Sequence, residues 1–410
     1  MKKIAILVFF TVGFFVHVWA CTGLIAGKQA TVDGSVLVTY SADSHTLYGA
    51  LTSSPAADWP KGSMRSIVEW DTNKPLGEIE QVEHTYAVIG NMNEHQLTVV
   101  ESTWGGRPEL VDTTGIIDYG SLMQLALERA KTAREAIKVM TGLVKKYGYY
   151  SSGESFTIAD PNEAWILDLI GKGPGRRGAV WVAVRIPDDC IAGHANYPRI
   201  HKIPMDDKEN CLYSPDVISF AREMGYFDGL NKDFSFARAY SPADFGALRA
   251  CDARVWSFFR KYDSTMDNYL PYVNGESAEP FPLYVKPSRK LSVQDMKEAM
   301  RDHFEDTPFD MTQDVGAGPF KVPYRFRPMS FEVDGKSYCM ERAIATQQTG
   351  FTLVGQMRNW LPDPVGGVLW FGVDDANTCV YIPMYCGITQ VPECFSPENG
   401  SMYDFSWTSA

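Results

Sequence analysis

The sequence predicts an α+β fold in which antiparallel sheets carry helices packed on their outer faces. Two observations predict it. Apolar, β-rich runs come in pairs across short turn signals, so strands are expected to join their sequence neighbours as hairpins. Helical stretches arrive in blocks between those pairs, whereas a parallel sheet would need one crossover helix after each strand. The chain of 410 residues is 45% hydrophobic, enough to bury the core of one large domain or two ordinary ones.

The N-terminus comes first in chain order. Lys2 and Lys3 precede an almost wholly apolar run from Ile4 to Ala20, and Val18 and Ala20 stand as the small residues of a cleavage site. This is the layout of a secretory signal peptide over residues 1–20, cut before Cys21. A membrane anchor is the rival reading, but the run falls short of the roughly 20 residues a span needs, and it contains His17. A lipid-attachment cysteine is the second rival; the bulky Trp19 speaks against it.

Residues 21–410 are then expected to form the mature domain. Residues 22–28 and 35–41 read as strands across the turn Asp33-Gly34, which holds Cys21 at a strand end. A loop is expected over 53–63, followed by strands at 85–90 and 96–101 around Asn91-Met92-Asn93-Glu94-His95. Residues 120–130 and 132–147 form a helix pair, the second opened by Thr132 and Glu135 at capping-box spacing. Strands follow at 155–160 and 164–170, joined by Pro161-Asn162, and at 179–186. Helices are expected at 216–224, 242–262 and 292–304, the last started by Ser292 and Asp295; strands return at 352–358, 368–373 and 379–384.

Charge excludes one class of partner. Thirty-eight basic against 50 acidic side chains give −12, and loss of Lys2 and Lys3 with the leader gives 36 against 50, or −14. Nucleic acid needs a basic footprint, so it is not expected as a partner. The eight cysteines show neither a zinc spacing nor the density of a disulfide scaffold. Cys379, Cys386 and Cys394 are close enough in sequence for a bridge between two of them, whose pairing the sequence leaves open.

A cysteine made N-terminal by cleavage carries a thiol and an α-amine on one residue. The thiol reacts as thiolate, and an amine titrating at about 7.7–8.0 can take its proton without a histidine. The seven histidines form no Cys-His set, and His194 and His201 lack a third metal ligand. Acyl transfer also needs donors for the oxyanion. Asn91 and Asn93 are candidates, although asparagine is common in turns for conformational reasons. Asp43, just past the second strand, is expected beside Cys21, since antiparallel pairing returns the chain to its start.

The opening Cys21-Thr22-Gly23-Leu24-Ile25-Ala26-Gly27-Lys28, with Asp33-Gly34-Ser35, Ser41-Ala42-Asp43-Ser44, Gly90-Asn91-Met92-Asn93-Glu94 and the run from Gly153 to Glu163, resembles the dipeptidase A type cysteine dipeptidases. These are N-terminal-nucleophile hydrolases, similar to penicillin V acylase and bile-salt hydrolase. The resemblance implies an αββα four-layer sandwich, with Cys21 as nucleophile and base, Asp43 on its amine and Asn93 in the oxyanion hole. It also implies that Asp160 falls where the acylases place an asparagine, and Arg249 near their active-site arginine. Thr39-Tyr40-Ser41 departs from the relatives' arginine-bearing run. Relatives usually continue further, so a shortened chain is expected.

The glycine-rich run from Gly171 to Gly178 lacks the phosphate-loop order and reads as a hairpin loop. The acids between Asp302 and Asp310 fit no metal motif and read as a solvated helix end. The sequence therefore predicts an exported dipeptidase with a small peptide substrate, no cofactor, no metal and no membrane insertion once the leader is gone; assembly of identical copies stays open. An amidase for penicillin-like or bile-acid amides is the alternative within the class. A surface lipoprotein that binds peptides without cutting them is the alternative outside it.

Overall fold

The computed structural model describes residues 21–44, 49–325 and 330–396; the expected leader and His45 lie outside them. Two large antiparallel sheets organise the chain. The first has seven strands in the order Tyr284–Val285, Ile191–His194, Gly23–Ala26, Val36–Asp43, Thr349–Met357, Val368–Val373 and Ile382–Tyr385. The second has eight, in the order Cys211–Tyr213, Ala179–Ile186, Ala164–Gly171, Gly153–Ala159, Thr98–Trp104, Met92–Asn93, Val88–Ile89 and Ser53–Ser54.

Both sheets are covered on both faces, which explains why their central strands are apolar throughout. Gly23–Ala26, Val36–Asp43, Gly153–Ala159 and Ala164–Gly171 are buried at every position. Successive side chains on a strand point to opposite faces. Ile25, Val36 and Val38 of the first sheet thus share one core with Val100, Ile166 and Val182 of the second. Leu24, Ala26 and Leu37 point the other way, into a core with Val255, Trp256, Met296 and Met300 from helices Ala253–Arg260 and Val293–Met300. Val99, Phe156, Ile158 and Leu167 leave the second sheet on its far side, toward Leu122, Leu125, Ile137 and Met140 of helices Tyr119–Arg129 and Ala133–Tyr147. The protein is thus a mixed α/β fold built on antiparallel sheets with flanking helices.

Local signals act as their chemistry dictates. Asp33 accepts from the Ser35 backbone N–H at 3.1 Å while Gly34 takes φ +84°, which closes the first turn. Thr132 caps its helix by accepting from Glu135 N–H, but Glu135 reaches back to Lys131 N–H at 2.8 Å. Ser292 and Asp295 form the full reciprocal box.

Some boundaries differ from expectation. The helix expected over 242–262 is a π-helical turn, Ala247–Asp252, continued as the α-helix Ala253–Arg260. The helix expected to reach Phe304 stops at Met300, since Phe304 has φ +63°, outside helical space. The expected 53–63 loop contains two short strands, and an unanticipated hairpin, Met64–Val68 with Pro75–Glu80, follows it. Cys379, Cys386 and Cys394 are all free thiols. Among the described residues no helix is long and apolar enough to cross a membrane, and no cluster of side chains could hold a metal ion.

Candidate active site

Pairing brings the two ends of the first hairpin together. Ile25 faces Val38, and Thr22 bridges Ser41, exchanging backbone hydrogen bonds of 3.4 and 3.0 Å. That register sets Cys21 alongside Ala42 and Asp43. Cys21 is buried, with its Sγ 3.7 Å from the Tyr40 hydroxyl and 3.4 Å from Glu101 Oε1. Tyr40 donates to the same Glu101 oxygen at 2.5 Å. Glu101 comes from the second sheet, so the thiol sits where the sheets face each other.

Burial pushes the Cys21 thiol well above its ordinary range, and the charges of Glu101 and Asp43 push the same way. The Asp43 backbone N–H and the Tyr40 hydroxyl oppose this without reversing it. The resting sulfur is therefore a thiol, and reaction requires a base. Among the described residues no histidine contacts the Cys21 sulfur. His194, the buried one nearest in the fold, lies opposite Gly23 on the neighbouring strand. Its ring nitrogens are held by Ser102 Oγ at 2.6 Å and Thr157 Oγ1 at 2.8 Å, and burial lowers it to about 3, so it stays neutral.

A buried guanidinium fixes the main chain at Cys21. Arg254 Nη1 donates to the Cys21 carbonyl and to Thr22 Oγ1, both at 2.8 Å, while Nη2 donates to Asn196 Oδ1 at 2.7 Å and to the Ala195 carbonyl at 3.2 Å. Asn196 in turn donates from Nδ2 to the Thr103 carbonyl at 2.6 Å and from its backbone to Ser102 Oγ at 3.2 Å. It has φ +55°, an uncommon state for a residue with a side chain, as often found where a site constrains the backbone. Asp43 is equally tied down: its carboxylate pairs with Arg342 and accepts from Thr349 Oγ1 at 2.7 Å and Ser41 Oγ at 3.2 Å.

The other expected site residues have different partners. Asn93 Nδ2 donates to the Leu127 and Ala130 carbonyls, each at 2.8 Å, and Oδ1 accepts from the His95 and Leu97 backbones, each at 3.0 Å. Its own N–H bonds the Leu97 carbonyl at 2.9 Å. Every donor is committed, so in this arrangement Asn93 ties a hairpin to a helix end and has none left for an oxyanion. Asp160 accepts from the backbones of Asn162 at 2.7 Å, Glu163 at 3.1 Å and Ala133 at 2.9 Å, a turn contact that also holds the start of helix Ala133–Tyr147. Arg249 pairs bidentately with Glu341 at 2.8 and 2.7 Å, donates to Asn274 at 2.7 Å and stacks on Phe309.

The structure thus brings Cys21 and Asp43 together and adds Tyr40, Glu101, Asn196, Arg254 and Arg342, which sequence reasoning missed. One signal was available: Glu101 interrupts the β-rich run Thr98–Trp104, and a charge inside a buried strand requires a reason. Asn196 carried none, since nothing in Ala195-Asn196-Tyr197 announces a left-handed residue.

The site is a buried thiol at a strand start, beside a main chain held by an arginine and faced by a carboxylate, and comparison with known proteins gives the class. Residues 20–409 match the model of peptidase family C69, and the chain belongs to that family. It is therefore a peptidase. Similar proteins include a "probable dipeptidase" of Salmonella dublin, 27% identical over 90% of this chain and 81% of that protein. A "probable dipeptidase" of Latilactobacillus sakei is 25% identical over 95% and 79%. "Dipeptidase A" of Lactobacillus helveticus is 25% identical over 92% and 77%.

Proposed function

We propose that this protein is an exported cysteine dipeptidase whose nucleophile is Cys21, freed by removal of residues 1–20, with 21–410 as its single catalytic domain. The contacts at Cys21 carry the reading: a thiol whose surroundings keep it protonated, on a main chain fixed by Arg254, with no histidine among the described residues placed to act as base. The names of the C69 relatives support dipeptides as substrates. The core shared by the two sheets and the two outer helical cores support the αββα arrangement of N-terminal-nucleophile hydrolases.

In this mechanism the Cys21 α-amine takes the thiol proton as sulfur attacks the scissile carbonyl carbon. Asp43 orients the amine, and the Asp43 backbone N–H stabilises the developing thiolate. Collapse breaks the C–N bond, the amine passes its proton to the leaving amino group, and a thioester remains. Water, deprotonated by the same amine, then cleaves the thioester and returns the thiol. The test is turnover on a dipeptide panel by wild type, Cys21→Ser and Cys21→Ala. Both variants are expected to fold and to lose at least about 1,000-fold in kcat; undiminished turnover in either removes Cys21 from the chemistry.

A further inference from the structure

Beside Cys21 the protein buries acid that it does not balance. Glu101 and Glu154 sit on paired strands, Glu154 opposite Thr103, so both occupy the same face of the sheet. Their exposures are 2% and 0%. Glu101 Oε1 meets Tyr40 and the Cys21 thiol, and Glu154 Oε1 accepts from Thr103 Oγ1 at 2.8 Å. The second oxygen of each, Oε2, has no donor from the rest of the protein. Burial, the Glu101 charge and a hydrogen bond between the two carboxyls push Glu154 well above the usual carboxylate range, so Glu154 stays protonated and the pair holds one negative charge. Neither forms an ion pair with a lysine or arginine among the described residues. A buried negative charge without a cation is costly, and a cationic ligand would offset that cost.

We propose that Glu101 and Glu154 form the subsite for the substrate's free α-ammonium, so that the enzyme cuts after an unblocked first residue. This rests on Cys21 being the nucleophile. The geometry fits: in a dipeptide the amine is about 2.5 Å from the scissile carbon, and attack brings sulfur within about 3–3.5 Å of that carbon. A carboxylate 3.4 Å from Sγ is then within reach of the ammonium. The subsite measures length from the N-terminus: it positions the first peptide bond on the sulfur and rejects an acylated amine, which is neutral and larger.

The test compares kcat/KM of the mature enzyme on alanyl-alanine and on its N-acetyl form, for wild type, Glu154→Gln and Glu101→Gln. Wild type is expected to prefer the free amine by about 100-fold or more. Glu154→Gln, which does not touch sulfur, should lower kcat/KM on the free dipeptide by about tenfold or more, chiefly through KM, and change the N-acetyl rate by less than about threefold. Equal hydrolysis of the two substrates by wild type overturns the subsite while dipeptidase activity stands. So does an equal loss on both substrates in both variants, which would give the carboxylates a role in the chemistry or the fold. A wild type that hydrolyses neither substrate, nor any other free dipeptide, sinks the Cys21 reading, and the subsite falls with it.

Discussion

Arg249 and Arg254 lie five residues apart across the π-turn Ala247–Asp252, and the structure sends Arg249 to Glu341 and Arg254 to Cys21. The sequence offers two arginines on one helical stretch; which of them reaches Cys21 depends on the π-turn Ala247–Asp252, which no local motif announces. Replacing Arg254 with methionine strands four buried oxygens, those of Cys21, Thr22, Ala195 and Asn196. It should cost about 3 kcal/mol or more and abolish turnover. Arg249→Met loses a largely buried ion pair, its side chains 16% and 17% exposed, and should cost about 2 kcal/mol, with turnover within about threefold of wild type. Denaturant melts and rates on the two variants decide between them; the reverse ranking would return the site role to Arg249. Asn93 carries the same lesson, since its type and turn context fit an oxyanion donor, yet its partners come from Leu127 and Ala130, distant in sequence.

The hairpin that begins at Cys21 was legible element by element because its signals are local: a turn at Asp33-Gly34 and β-rich runs on either side. Its neighbours were not. Strand Ile191–His194, which flanks Gly23–Ala26, is only four residues long and had no assignment, yet it sets the space available beside Cys21. A Cβ on Gly23 would lie 2.9 Å from the His194 ring, which Ser102 and Thr157 hold in place. Gly23→Ala should therefore cost about 1–3 kcal/mol and depress activity by displacing Cys21. A thermal melt and a rate assay suffice; a variant as stable and active as wild type would mean the ring moves aside freely.

Across the whole molecule, antiparallel sheets with flanking helices were predictable from pattern, because hairpins and helix blocks follow from periodicity. How the sheets face each other was not, since it depends on contacts such as those of Cys21 with Glu101, 80 residues apart. That burial also governs how stability responds to pH. His194 is neutral when folded and titrates at about 3, against about 6.5 when exposed in the unfolded chain. Its contribution is present above pH 6.5 and is lost as pH falls toward 3. Relative to His194→Asn, wild type should lose up to about 1.4 kcal/mol per pH unit below 6.5. Urea titrations of both proteins at pH 7.5 and 5 measure this; a pH-independent difference would show that His194 does not titrate with unfolding.

Catalysis by the proposed route needs an α-amine that exists only if the mature chain begins at Cys21. The most direct measurement is intact mass with N-terminal sequencing of the dipeptide-cleaving fraction purified from the native host. The account predicts an active protein that starts at Cys21 with unmodified thiol and amine. Full activity in a protein whose Cys21 amine is blocked, by an uncut leader or by a lipid, would contradict it.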